Sequence, residues 1–178
     1  MNTPDTASPE FSRPFDVRQV DGKAPHLEAR EAECKALAAR FGLVRVDSLA
    51  ADIELHKTDR TVEARGRLKA QIVQSCAVSA EDLTVSVDEE LVLRFVPEST
   101  AYAPDEEVEL SAEDCDEIEY SGTHFDLGEA VAQSLGLAID PYLTGPEANA
   151  ARKAAGIGTP KDQGPFAALK GLELDKDA

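Results

Sequence analysis

The clearest alternation of apolar and polar residues in this sequence, over 61–76, constrains the fold more than any other feature. Successive side chains of a β-strand point to opposite faces of its sheet, so this period predicts a long strand with one buried face. The predicted buried face consists of Val62, Ala64, Gly66, Leu68, Ala70, Ile72 and Cys76. Similar alternation over 49–56 and 83–95 predicts further strands. The middle of the chain should therefore form a β-sheet.

The residues before this sheet combine a short strand pattern with a helical one. Residues 11–20 carry Phe and Val at spacings that predict a first strand. Residues 24–41 are rich in Ala, Glu, Lys, Arg and Leu, with an apolar stripe, and predict a first helix that starts near Pro25. Gly42 is a suitable residue to end that helix.

The residues after the sheet predict a second helix. Apolar side chains recur at helical spacing over 127–135, and Asp126 is placed to accept hydrogen bonds from the free amides of the first turn. Glu129, three residues later, suits a capping box. Gly136 is predicted to be the left-handed residue that ends the helix, and Pro141 stops any continuation.

These patterns predict an α+β fold in which two helices pack on a curved antiparallel sheet of about five or six strands. Short connections between consecutive strands favour antiparallel pairing, in a sheet that either stays open or closes partly into a barrel. A length of 178 residues suits one domain. We place the domain at 11–143, after a disordered N-terminus over 1–10. A flexible tail over 144–178 follows, in which 165–174 has the pattern of a short docking helix.

The chain is strongly acidic, with 35 acidic and 18 basic residues and a formal net charge of −17. This charge opposes a broad electrostatic contact with nucleic acid or anionic lipid and favours a basic partner. Residues 105–119, which we call the acidic segment, contain no base. Residues 116–120 are predicted to return to the sheet. The candidate contacts for a basic partner are Asp105, Glu106, Glu107, Glu109, Glu113, Asp114, Asp116, Glu117 and Glu119.

A group of bases in the alternating segment provides a second candidate surface, which we call the basic strand face: Arg60, Arg65, Arg67 and Lys69. Side chains at 65, 67 and 69 project from one face at intervals of about 6.5–7 Å, comparable with the phosphate spacing of a nucleic-acid strand. No aromatic side chains accompany these bases, so an RNA contact would use backbone and shape rather than base stacking. The alternative is an ordinary solvated strand face whose bases pair with nearby acids.

The sequence contains no recognisable catalytic or metal-binding motif. Its three cysteines, Cys34, Cys76 and Cys115, are widely spaced and predict reduced thiols, with Cys76 a buried structural one. Three histidines far apart in sequence provide no metal-ligand spacing. We therefore expect no enzyme activity, no catalytic residue, no cofactor and no metal. Without a signal-like leader or a long apolar run, we expect a cytoplasmic protein.

Three ordered blocks resemble a known family. They are VQSCAVSAEDLTVSVDEELVLRFVPE at 73–98, FDLGEAVAQSLGLAIDPY at 125–142 and PFAALKGL at 165–172. Together they resemble the YceD family, the large ribosomal RNA subunit accumulation proteins, and their order and spacing match its alphaproteobacterial type. Many members of that family carry a Cys-x-x-Cys-Leu pair, where this chain has Cys76 followed at the second position by Ser79. The resemblance therefore implies no redox or metal role for this position here.

The resemblance implies a bacterial cytoplasmic factor that supports accumulation of the large-subunit (23S) ribosomal RNA and ribosome synthesis or assembly. Its implied partner is a large-subunit ribosomal precursor, a ribosomal protein or an rRNA-processing factor. Three mechanisms remain open. They are noncatalytic binding of a basic protein, direct binding of ribosomal RNA through the basic strand face, and RNA processing by a hydrolase activity.

Overall fold

The computed structural model describes residues 9–98 and 117–157. Seven strands are present in these ranges: β1 (Pro14–Asp16), β2 (His26–Glu28), β3 (Arg45–Thr58), β4 (Thr61–Ser75), β5 (Asp82–Pro97), β6 (Glu117–Tyr120) and β7 (His124–Asp126). Three helices accompany them: α1 (Glu31–Phe41), α2 (Leu127–Ala138) and α3 (Ala148–Ala154).

Five strands form the main sheet in the order β2-β3-β4-β5-β6, and β1 pairs with β7 in a separate two-stranded sheet. The β2/β3 and β3/β4 pairs are antiparallel, whereas β6 is parallel to β5. The predicted α+β class with a mainly antiparallel sheet is confirmed. Among the described strands, β2 and β6 form free ends of the order, so this sheet is open and not a barrel.

The alternating pattern that predicted β4 is confirmed by its burial. Val62, Ala64, Leu68 and Ile72 have no exposed surface, while the alternate residues Glu63, Arg65, Arg67, Lys69 and Gln71 are exposed. They join a core that also contains buried residues of α1, β3 and α2. Burial of one such aliphatic side chain contributes about 1.5–3 kcal/mol, so the buried face of β4 is a principal source of stability.

Contacts divide the chain into two compact units. The first comprises Met1–Gln74 and Thr84–Asp140, and the second comprises Ser75–Leu83 and Pro141–Ala178. The helices α1 and α2 belong to the first unit, and α3 belongs to the second. The domain limits inferred from the sequence stay a prediction, and the proposed docking helix at 165–174 lies outside the described residues.

The N-terminal elements differ from the sequence prediction. Residues 26–28, expected within the first helix, form the edge strand β2, in which Leu27 lies opposite Ala51 and is buried. The helix α1 begins only at Glu31, where Glu33 accepts a hydrogen bond from the backbone N–H of Arg30 at 2.7 Å. Gly42 ends α1 with φ of 64°, as predicted. The first strand is also shorter than 11–20, because a 3-10 turn follows β1.

The helix α2 begins as predicted and ends differently. Asp126 accepts hydrogen bonds from the backbone N–H groups of Glu129 at 3.0 Å and Arg13 at 2.7 Å, so it joins the N-terminal segment to the helix. Glu129 does not complete the predicted capping box with Asp126. Its carboxylate instead binds the Arg40 guanidinium at 2.7 and 2.8 Å. Gly136 lies within the helix, where its missing side chain leaves space for the Phe41 ring.

The strand β6 confirms that the chain returns to the sheet before α2, but its direction was not predicted. It pairs in parallel with β5, and Glu117 lies opposite Arg94. A parallel pair needs a long crossover, and the residues between Glu98 and Glu117 are numerous enough to provide one. The expectation of antiparallel pairing throughout is therefore wrong for this pair.

Candidate partner-binding surface

The basic strand face is present as an arrangement of exposed side chains. Arg65, Arg67 and Lys69 alternate with the buried Ala64 and Leu68 on β4 and point to solvent. Arg60 is also exposed, in the turn between β3 and β4. Its backbone carbonyl accepts a hydrogen bond from the Tyr120 hydroxyl at 2.6 Å. The four predicted bases are therefore all exposed, but acids lie close to several of them.

Acidic residues on β3 lie directly opposite two of these bases, whereas Lys69 lies opposite Ala50. In the β3/β4 register, Asp52 is the partner of Arg67 and Glu54 is the partner of Arg65. Opposite charges at facing positions of an antiparallel pair attract each other at short range. Asp52 also contacts His26 of β2, with Oδ1 and Nδ1 2.6 Å apart. The β3 side of the basic strand face is thus acidic.

The β5 side of the same face is acidic as well. The Arg67 guanidinium donates a hydrogen bond to the Asp88 carboxylate, which raises the pKa of Arg67 and lowers the pKa of Asp88. Lys69 contributes a weaker attraction that also lowers the pKa of Asp88. Within its own strand, Arg65 contacts Glu63 at 3.3 Å. The solvated, acid-paired alternative describes this face better than a continuous phosphate-binding stripe.

A group of three exposed acids interrupts the alternation of β5. Val87 and Leu91 are buried, but Asp88, Glu89 and Glu90 between them are all exposed. These three acids are not among the predicted partner contacts. The signal for them in the sequence is a run of three acids within an otherwise alternating strand.

Two of the nine predicted partner-contact acids lie on β6. Glu117 forms an ion pair with Arg94 at 3.0 Å, and Glu119 is exposed. The other seven, Asp105, Glu106, Glu107, Glu109, Glu113, Asp114 and Asp116, lie outside the described residues. A role of the acidic segment in binding stays a prediction.

A pocket of about 390 Å³ brings several acids near a histidine, as a hydrolase would require. Its lining includes His124, Glu119, Asp126 and Glu129. Asp126 caps α2, however, and Glu129 binds Arg40. Both carboxylates are therefore engaged in structural contacts, and this pocket gives the hydrolase alternative no support.

Cys76 lies in a turn of the second unit and is 4% exposed. Its sulfur accepts hydrogen bonds from the backbone N–H groups of Val78, Ser79 and Gly145 at 3.3–3.4 Å. The Ser79 side chain and these N–H groups lower the thiol pKa to about 7. Because the Ser79 hydroxyl makes no hydrogen bond of normal geometry among the described residues, we assign the effect mainly to the backbone groups. The prediction of a buried thiol is confirmed, and its contacts close a turn.

Two further observations concern the described parts of the chain. Within them, no three His, Cys, Asp or Glu residues converge closely enough to hold a metal ion. None of the helices found there has the length and apolar character needed to span a membrane.

The fold and this surface define an α+β protein with an open sheet whose outer face mixes bases with an excess of acids. The sequence matches the family described as "Large ribosomal RNA subunit accumulation protein YceD" over residues 64–173, and the chain belongs to that family. Comparison with curated proteins found no match, and neither did comparison with solved structures.

Proposed function

We propose that this protein is a noncatalytic cytoplasmic factor that supports accumulation of large-subunit (23S) ribosomal RNA by binding a basic protein of the large-subunit precursor. The family description supplies the connection to this RNA. The order of the three sequence blocks supports the alphaproteobacterial type of the family. The alternatives for the partner are an rRNA-processing factor and the ribosomal RNA itself.

One observation carries the choice of a basic protein as partner: both arginines of β4 lie beside acids of neighbouring strands, in a chain with more acids than bases. Arg65 and Arg67 lie between Glu54 and Asp52 on one side and Asp88 on the other. The whole chain contains 35 acids and 18 bases. Its excess negative charge attracts a cationic partner and repels RNA at long range. Ribosomal proteins that bind RNA are cationic for the same electrostatic reason.

Crosslinking in cells followed by affinity purification tests this function. We expect the purified protein to carry crosslinks to basic ribosomal proteins of the large subunit, with any RNA recovered through those proteins. Recovery of RNA crosslinked directly to β4, without a crosslinked protein, would contradict the proposed choice of partner.

The RNA alternative makes a different prediction for the basic strand face. Because acids face Arg65 and Arg67, and Asp88 also attracts Lys69, replacing these three bases together by alanine should change affinity for ribosomal RNA fragments by less than about twofold. Filter binding at low salt measures this affinity, and Arg45→Ala on the neighbouring strand is a matched control. A loss of about tenfold with a flatter salt dependence, absent from the control, would instead place an RNA contact on β4.

A further inference from the structure

A groove of about 480 Å³ runs between β5 and the C-terminal half of α2. Its strand side is formed by five consecutive residues, 89–93, and its helix side by Ser134, Leu137 and Ala138. Leu137 is 90% exposed and Val92 is 50% exposed. A single exposed leucine is common on protein surfaces, but here two exposed apolar side chains border one groove.

The groove follows an edge of β5. Consecutive strand residues point to opposite faces, so a run of five can line one groove only along the side of the strand. β4 occupies one side of β5, and on the other side the register of β6 covers only Arg94–Pro97. Among the described strands, none pairs with 89–93 on that side. A free strand edge beside a helix is a geometry in which an extended peptide adds as a further strand.

The charges around this edge select the occupant. Glu89 and Glu90 belong to the lining, Asp88 precedes them, and no Lys, Arg or His of the described ranges lines the groove. Glu117 lies opposite Arg94 at the start of β6, which adds a further acid next to the free edge. Like charge disfavours both RNA and another acidic segment at this place, whereas Lys and Arg side chains complement it.

We propose that this groove binds an extended basic segment of a protein partner, which adds as a strand along 89–93. Its apolar side chains contact Val92 and Leu137, and its Lys or Arg side chains contact Glu89 and Glu90. The inference rests on the proposed function, because it names the surface through which a basic partner is bound. It goes further in specifying an extended segment in which cationic and apolar residues alternate.

Peptide binding to the full-length protein tests the chemistry of the groove. The probe is a fluorescent peptide in which lysine alternates with valine, and the comparison peptides replace valine by serine or lysine by glutamate. We expect fluorescence anisotropy to show at least about tenfold tighter binding of the first peptide, because only it offers both apolar and cationic side chains. Equal binding of the lysine–serine peptide would show nonspecific charge attraction and would overturn the proposal.

Substitutions locate the binding. Leu137→Asp should weaken binding about tenfold, and the double change Glu89→Lys with Glu90→Lys should weaken it similarly while reducing its dependence on salt. Val44→Asp is the matched control, because Val44 is 45% exposed but does not line the groove. If Leu137→Asp and Val44→Asp have the same effect, the groove is not the binding site.

Hydrogen exchange of the amides at 89–93 distinguishes the possible occupants. We expect the alternate amides that point away from β4 to exchange quickly in the free protein and to be protected with the peptide bound. Protection of these edge-facing amides in the free monomer would show that another part of the same chain covers the edge. Protection that increases with protein concentration would indicate a second copy, and protection by an rRNA fragment rather than the peptide would indicate RNA. Each of these three results contradicts the proposal.

A cellular measurement separates this inference from the proposed function. Replacement of the wild-type protein by the Leu137→Asp variant should lower the ratio of large- to small-subunit ribosomal RNA, while Val44→Asp should leave it unchanged. If Leu137→Asp maintains the ratio but loss of the protein lowers it, the groove proposal fails and the function stands. If loss of the protein leaves the ratio unchanged, the proposed function fails, whatever the peptide does.

Discussion

Replacement of Gly66 by alanine should lower the free energy of unfolding by about 3 kcal/mol, because the added methyl group has no space beside β3. Gly66 lies opposite Ile53 in the β3/β4 register. A Cβ atom at this position would lie 2.0 Å from the Asp52 carbonyl oxygen and 2.8 Å from the Ile53 Cα. Both are backbone atoms of a paired strand, so relief requires the strands to separate locally.

Urea unfolding followed by circular dichroism measures this loss. Gly122→Ala is the matched control, since Gly122 has φ of 74° but no atom within 4 Å of an added Cβ. Gly122→Ala should lower the free energy of unfolding by only about 1–2 kcal/mol, because alanine disfavours the left-handed conformation. Equal losses for the two variants would show that β3 and β4 do not approach as closely as the register implies.

Replacement of Phe95 by alanine should be at least as destabilising, at about 3–5 kcal/mol. Phe95 is fully buried on β5, and its ring centroid lies 4.2 Å from that of Phe125. Tyr120 of β6 and Phe15 of β1 contact the same Phe125 ring. Removal of the Phe95 ring leaves a cavity among three strands, so the expected result is a lower midpoint in thermal or urea unfolding.

Val92→Ala provides the comparison within the same strand. Val92 is half exposed, so its truncation should change stability by no more than about 0.5 kcal/mol. A comparable loss for both variants would mean that Val92 is covered in the folded protein. That result would also remove Val92 from the proposed binding groove.

The long strands were predictable because each carries a complete pattern of its own. The alternation in β4 identified its buried face, and the Asp126 cap identified where α2 begins. Both signals are local, since they depend on residues a few positions apart. Local signals of this kind do not report which strands become neighbours.

The elements that the sequence did not predict depend on distant contacts. The three residues of β2 carry no strand pattern of their own, and their conformation follows from pairing with 50–52 of β3. Gly136 resembles a helix terminus, but the Phe41 ring of α1 packs against it. The parallel direction of β6 likewise depends on its pairing with β5, which no periodicity records.

The acid opposite Arg65 on the candidate surface can also be predicted from the sequence. Thr58 and Thr61 pair directly, so the two residues between them form a hairpin turn, and Asp59 has φ of 54°. Recognition of that turn fixes the register and places Glu54 opposite Arg65. The acids that neutralise the basic strand face are thus encoded locally. The groove at β5 is not, because it requires the packing of α2.

Crosslinking in cells tests most directly our proposal that this protein supports large-subunit RNA accumulation by binding a basic protein. Crosslinks should join residues near Glu89 and Glu90 to lysine-rich segments of large-subunit ribosomal proteins, and Leu137→Asp should reduce them while Val44→Asp does not. Direct RNA crosslinks to Arg65, Arg67 or Lys69, with no ribosomal protein joined to the chain, would contradict the account.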